Sequence, residues 1–209
     1  KNRVTFNIKS SIETSFSLEG NVLVNPDVVR WLRDKRTDFD WSYWKAYKEF
    51  LITQGRPLGL INENSEIIDN ILDLSGDPKT PGKWSRKGLV MGNVQSGKTQ
   101  NFIGLLNKAA DVGYKIIIVL GGHQNELREQ TQIRIDEGFV GRVPRRHVRN
   151  NQISSDMRNK FGVGLYRDDT KSPISVTTID GDFTKAAANT NNFNLEDHAD
   201  TPVIFCIKK

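Results

Sequence analysis

The apolar positions of this 209-residue chain follow two rhythms, and the change comes near residue 84. Over residues 1–24 the alternation is loose. Val4, Phe6 and Ile8 and then Phe16 and Leu18 are apolar, which permits a short hairpin without demanding one. From Asn25 the spacing turns helical: Pro26 suits a first helical position behind Asn25 as cap, and Val28, Val29, Trp31 and Leu32 begin a stripe. Asp40 can cap a second helix in which Trp41, Trp44, Tyr47 and Leu51 recur every three or four residues. Such a stripe is more often a buried face than a base-stacking platform. A third helix is predicted over 64–74, with Ile67, Ile68, Ile71 and Leu72 apolar. Residues 75–83, SGDPKTPGK, have the Gly and Pro content of a connector, so a mainly helical extension is expected over 1–83 and a second unit over 84–209.

Beyond the connector the order becomes strand, loop, helix, strand. A short apolar run at 88–91 precedes a glycine-bracketed loop at 92–97. Residues 99–110 place Phe102, Ile103, Leu105 and Leu106 on one helical face. Residues 114–120 form a dense β-branched run of the kind buried on both faces of a parallel sheet. That is a βαβ unit, whose crossover is right-handed and whose first loop lies at the carboxyl edge of the sheet, where ligands bind in open α/β folds. Further strands are predicted at 174–179, leading to Asp180 and Asp182, and at 202–207. The expected class is therefore α/β, with a parallel sheet and an N-terminal helical extension. Because the chain opens on Lys1 and its last segment, PVIFCIKK, reads as a strand that stops, the sheet is expected to be incomplete and the chain a piece of a larger protein.

The loop carries chemistry. Gly92, Asn93, Val94, Gln95, Ser96, Gly97, Lys98 and Thr99 fit G-x-x-x-x-G-K-[ST], in which glycines let backbone N–H groups turn around phosphate oxygens and the following helix offers its positive end. Lys98 would reach the β and γ phosphates of ATP and the Thr99 hydroxyl would ligate Mg²⁺. Chance would produce the pattern in about one chain of this length in a hundred, and a strand before it with a helix after it is the context it needs; a plain Gly-rich turn is the weaker reading.

Composition changes this picture little. Apolar residues make up 36% and charged residues 26%, ordinary for a folded chain. The longest apolar stretches, 116–120 and 203–207, are too short to span a bilayer, and no signal-peptide pattern opens the chain, so a cytoplasmic location is expected. The single cysteine, Cys206, lies in an apolar run and reads as a buried structural thiol. His123, His147 and His198 are far apart without metal-ligand spacing, so the expected metal is Mg²⁺ with nucleotide rather than zinc. The net charge of +5 is a modest excess. More specific is the cluster Arg142, Arg145, Arg146 and Arg149, with His147 and no acid between 139 and 150, enough for several phosphate contacts if the arginines share a face and otherwise a solvated basic loop. Trp84, just ahead of the first strand, could stack on adenine, though packing on that strand is the commoner role.

The segment 121–138, GGHQNELREQTQIRIDEG, reads as a glycine turn into a helix with few apolar positions (Leu127, Ile133, Ile135) and a polar remainder that faces solvent or a ligand. A P-loop strand and helix, a second strand and then this polar LREQ segment resemble the first half of the motor core of superfamily two helicases. In that family the corresponding segment touches the nucleic-acid backbone, which makes Arg128 and Arg134 further nucleic-acid candidates. More narrowly, GNVQSGKTQNFIGL, LREQTQIRI and SVTTIDGDF over about residues 84–207 resemble the Z-one domain family, bacterial proteins described as endonucleases and related to helicase ATPases. The resemblance implies a RecA-like P-loop core.

It departs from the helicase pattern in one respect. A P-loop ATPase needs an acidic residue at the end of a neighbouring strand for Mg²⁺ and a polar group to orient water. Strand 202–207 ends in Lys208 and Lys209, and 174–179 leads to Asp180 and Asp182 without an Asp-Glu pair. The resemblance implies an acidic motif beyond residue 209, so the catalytic residues stay unassigned and this stretch is expected to bind ATP without hydrolysing it. Three readings follow. The favoured one is the ATP-binding module of a DNA-dependent ATPase or translocase, in a setting such as restriction or phage defence, with other proteins of that system as further partners. The second is an endonuclease, for which the acids around Pro26-Asp27 and Asp77-Pro78-Lys79 are a poor match, placing any nuclease centre elsewhere. The third is a nucleotide-binding regulatory module without a DNA role.

Overall fold

The computed structural model describes residues 29–91, 97–142, 160–168, 171–183 and 201–208. The expected hairpin of 1–24 and the Asn25–Pro26 helix start lie outside the described residues. The first described helix, α1 (Leu32–Lys35), runs into a 3₁₀ turn, Arg36–Asp38. Its opening amides are met from a distance: Asp73 accepts the N–H groups of Trp31 and Leu32, each at 2.7 Å, and pairs with Arg30 at 3.1 Å.

Helix α2 (Ser42–Thr53) carries the aromatic stripe, and as expected Trp44, Tyr47 and Leu51 are buried. Asp40 accepts the Ser42 N–H at 2.9 Å, yet Trp41, in a left-handed conformation with φ 54°, occupies the N-cap. The next two amides, of Tyr43 and Trp44, are taken by Asp111, each at 2.9 Å. A helix start is thus completed by a carboxylate some two-thirds of a hundred residues downstream, which no local reading finds. Burial pushes Asp111 up to about 7, against the pull of those two amides.

Helix α3 (Leu58–Leu74) starts behind Pro57, earlier than the predicted 64, and buries Ile61, Asn64, Ile68 and Leu72 at helical spacing. Helix α4 (Lys98–Val112) follows the glycine loop and ends on Gly113, whose φ of 104° is the left-handed stop that glycine permits. Strand β1 (Ile116–Leu120) comes next, then helix α5 (Asn125–Ile135), which continues as a π turn, Asp136–Val140, and later a 3₁₀ turn, Gly162–Tyr166. Strands β2 (Ile174–Ser175) and β3 (Val203–Ile207) complete a three-stranded parallel sheet in the order β1-β3-β2. Ile116 stands opposite Val203 and Leu120 opposite Ile207, while Ile174 also faces Val203. The architecture is mixed α/β.

One core joins the helices to the sheet. Tyr43, Trp44 and Tyr47 of α2, Ile61 and Ile68 of α3, Ile103 and Leu106 of α4, Ile135 and Phe139, and Ile204 and Cys206 of β3 form a single buried cluster. The expected boundary near residue 83 does fall in an exposed connector, but the helices on either side of it share this core. The α3–α4 contact is close: a Cβ at Gly104 would lie 2.5 Å from Ile68 Cδ1 and 3.2 Å from Trp44 Cζ3. Further along α4, the wholly buried Lys108 donates to the Ser65 carbonyl (2.9 Å), the Ser65 hydroxyl (2.6 Å) and Asp69 (2.6 Å), with its ammonium 4.4 Å from the Trp44 ring centre. Burial pushes this ammonium down to about 8, and Asp69 acts against that.

Three sequence expectations are corrected. Residues 88–91 form no strand; Leu89 and Met91 are 82% and 85% exposed in a segment without regular secondary structure. So short an apolar run has little strand preference of its own and depends on ladder partners. It joins none here. Second, β1 is not covered on both faces: Ile117 and Val119 pack on the core while Ile116, Ile118 and Leu120 stay exposed, because no described helix lies over that side. Third, the polar side chains of α5 do not all face outward. Arg128, Gln132 and Asp136 are buried beside Ile135, while Leu127 and Ile133 are exposed. Arg128 and Gln132 find their hydrogen-bond partners inside the fold. Among the described residues no helix is long and apolar enough to cross a membrane.

Candidate nucleotide-phosphate site

Of the eight loop residues singled out in the sequence, Gly92, Asn93, Val94, Gln95 and Ser96 lie outside the described residues. Gly97, Lys98 and Thr99 are described and exposed, at the first turn of α4. Gly97 is the N-cap with φ 74°, a left-handed conformation that favours glycine, and it supplies no side-chain cap. The first intrahelical bond runs from the Asn101 N–H to the Gly97 carbonyl at 3.0 Å. The amides of Lys98, Thr99 and Gln100 therefore come before the helix's own ladder, at its positive end, which is the arrangement that receives a phosphate. The Thr99 hydroxyl is of the right type for Mg²⁺ and stands on the same exposed turn.

This turn is held from below by the N-terminal helices. Asn101 Nδ2 donates to Asn64 Oδ1 of α3 at 2.9 Å, and the Tyr47 hydroxyl of α2 donates to the Gln100 carbonyl at 3.3 Å. Asn64 and Tyr47 are both buried. Sequence reasoning missed these two. Asn64 would have been legible as a polar residue in an apolar stripe had α3 been started at Leu58.

The other candidates are dispersed. Arg128 is 4% exposed, and its guanidinium donates to the carbonyls of Thr178 (2.9 Å) and Ile179. It thereby fixes the turn in which Thr178 and Gly181 exchange backbone bonds and on which Asp180 is exposed. Asp182 accepts the Phe183 N–H (2.7 Å) and the Lys208 N–H (3.0 Å), so it ties that turn to the end of β3. Arg134 is exposed and pairs with Glu137 at 3.4 Å. Arg142 donates through Nε to the Ser172 hydroxyl at 3.0 Å, whereas Arg145, Arg146 and Arg149 lie outside the described residues, as do His147 and His198. His123 is exposed in the turn before α5. Trp84 packs edge-on to Tyr114, ring centres 6.4 Å apart, and against Gly76 rather than on a strand. Asp77 is buried and paired with Lys35 at 2.6 Å. No cluster of three or more His, Cys, Asp or Glu side chains suited to a metal occurs among the described residues.

Behind α5 lies a polar network that periodicity did not reveal. Gln132 donates to Asp136 Oδ1 (2.8 Å) and the Ser175 hydroxyl (3.0 Å), and accepts from the Thr177 hydroxyl (2.7 Å), which in turn receives the Cys206 N–H (2.8 Å). It cross-links α5 to β2 and β3. Asp136 Oδ2 is buried with no partner among the described residues, and burial pushes its carboxyl up to about 7. Cys206 is buried, as expected, with its thiol pushed up to about 11 by burial. Searches against models of known protein families, against curated proteins and against solved structures found no match to this chain.

Proposed function

We propose that the chain binds a nucleoside triphosphate with Mg²⁺ at residues 92–99 and serves as the nucleotide-binding part of a RecA-like, helicase-type ATPase that acts on DNA. One observation carries the reading: the G-x-x-x-x-G-K-[ST] sequence runs into an exposed helix start whose last loop glycine is left-handed and whose first amides precede the helical ladder. Lys98 would hold the β and γ phosphates and Thr99 the Mg²⁺, which when bound neutralises charge on the phosphate oxygens. The helicase and Z-one resemblance supplies the DNA partner. Arg134, exposed on α5, and the 142–149 arginine cluster are its candidate contacts.

A thermal-shift titration with MgATP tests the phosphate site. At a ligand concentration a hundredfold above Kd, linkage adds about 2.7 kcal/mol of stability. Lys98→Ala is expected to abolish the shift while leaving the fold intact, since Lys98 is exposed. An equal shift in the variant contradicts the assignment.

The burial of Arg128 against the Thr178 and Ile179 carbonyls favours a second reading, a nucleotide-binding module without a DNA role, because it removes one cation from the surface the helicase analogy would use. Salt-dependent DNA binding separates the two: log K should fall linearly with log salt in the first reading and show no saturable binding in the second.

A further inference from the structure

We propose that Asn64 and Tyr47 are positioning residues of the phosphate site: by holding Asn101 and Gln100 they fix the first turn of α4, so the N-terminal helices set nucleotide affinity. The inference rests on the phosphate-site reading above and adds to it a structural origin for affinity outside the loop.

Asn64 stands in the buried stripe Ile61, Asn64, Ile68, Leu72 of α3, whose other three positions are aliphatic. Its Nδ2 is buried with no partner among the described residues, so the asparagine is unfavourable for the interior as it stands. What it gains is the bond from Asn101 Nδ2, at 2.9 Å, two residues past Thr99. Tyr47 adds its hydroxyl on the Gln100 carbonyl, one residue past Thr99. The rest of α4 is fastened further down, by the close approach at Gly104, the buried ammonium of Lys108 and the Asp111 carboxylate on α2. Helix ends fray first, and a phosphate that must order a frayed turn loses affinity in doing so. The two bonds reach the first turn of α4, ahead of those deeper contacts, and it is the turn whose amides precede the helical ladder.

The test is calorimetric titration of MgATP into the 209-residue chain, well below its melting temperature, with Asn101→Ala, Asn64→Leu and the double variant. Each single variant should weaken binding by roughly threefold to tenfold, the worth of one hydrogen bond. The double variant should be no weaker than the weaker single, because both remove the same bond. Asn64→Leu should melt no lower than wild type, since it also removes the unpartnered donor; affinity and stability then move apart, which a purely structural role does not do. Asn101 is partly exposed, so its variant carries the test if Asn64→Leu fails to fold. Wild-type affinity in Asn101→Ala, or additive losses, overturns the proposal while leaving the phosphate site intact. If wild type itself does not bind MgATP, the phosphate-site reading falls and this proposal with it.

Discussion

Asp136 shows how a single residue can work against its own fold. Its Oδ1 accepts from Gln132 while Oδ2 is buried without a partner, and burial pushes the carboxyl up to about 7. Because the folded pKa lies above the unfolded value of about 3.9, the folded state binds more protons than the unfolded one between pH 4 and 7. The stability this group contributes is full below pH 4 and lost as pH rises through 7. Asn in its place keeps the acceptor for Gln132 and has no charge to bury. Asp136→Asn should therefore match wild type closely near pH 4 and exceed it by about 1–3 kcal/mol at pH 8, measured by urea unfolding. A variant less stable than wild type at pH 8 would show that the carboxylate is satisfied by a partner outside the described residues. Arg128 and Gln132 carry the same lesson about legibility. In sequence they read as the outward face of a polar helix. In the fold they are buried because carbonyls of 178–179 and the hydroxyls of Ser175 and Thr177 meet them there. Composition shows that a helix is polar, but not which of its polar groups find partners inside.

At the scale of elements, what periodicity could predict was the existence of helices and strands with strong patterns. The α2 stripe, α4 and β3 were legible because their apolar spacing is set by their own burial. Element starts were not, where the cap comes from afar: Asp111 serves α2 and Asp73 serves α1. The 88–91 run illustrates the opposite limit, a strand pattern without a ladder. The junction of α3 and α4 gives a sharper expectation. Lys108 is fully buried, whereas Asp69 keeps some exposure and a second partner, Arg36, at 2.5 Å. Removing the lysine as Lys108→Met leaves an aspartate still paired. Removing the acid as Asp69→Ala leaves the ammonium with the Ser65 carbonyl and hydroxyl but no carboxylate, so it must be buried without a counter-charge or lose its proton. Asp69→Ala should thus cost about 3–5 kcal/mol at pH 7 and Lys108→Met clearly less. The Asp69→Ala deficit should shrink as pH rises toward 10, because the folded lysine is then already neutral and the unfolded one becomes so. Equal losses for both variants, independent of pH, would contradict this account of the pair.

At the scale of the whole molecule, the N-terminal helices, α4 and the sheet share one core, and the first turn of α4 is exposed. The loop sequence predicts a phosphate site; the contacts beneath the start of α4 were not legible, because they depend on which residues α2 and α3 bring to Gln100 and Asn101. The proposed function carries the expectation that the chain binds ATP without appreciable turnover, measured as phosphate release; turnover lost in Asp180→Asn would place a catalytic acid on the exposed turn after β2. The central claim, that the start of α4 holds the phosphates of a nucleotide, is tested most directly by amide hydrogen exchange with and without MgATP. The amides of Lys98, Thr99 and Gln100 precede the helical ladder, so a bound phosphate can take them as donors. With MgATP they should slow together, while the equivalent amides at the start of α5, Asn125 to Leu127, should not change. Unchanged exchange at Lys98, Thr99 and Gln100 under saturating MgATP, or protection at α5 instead, would contradict the account.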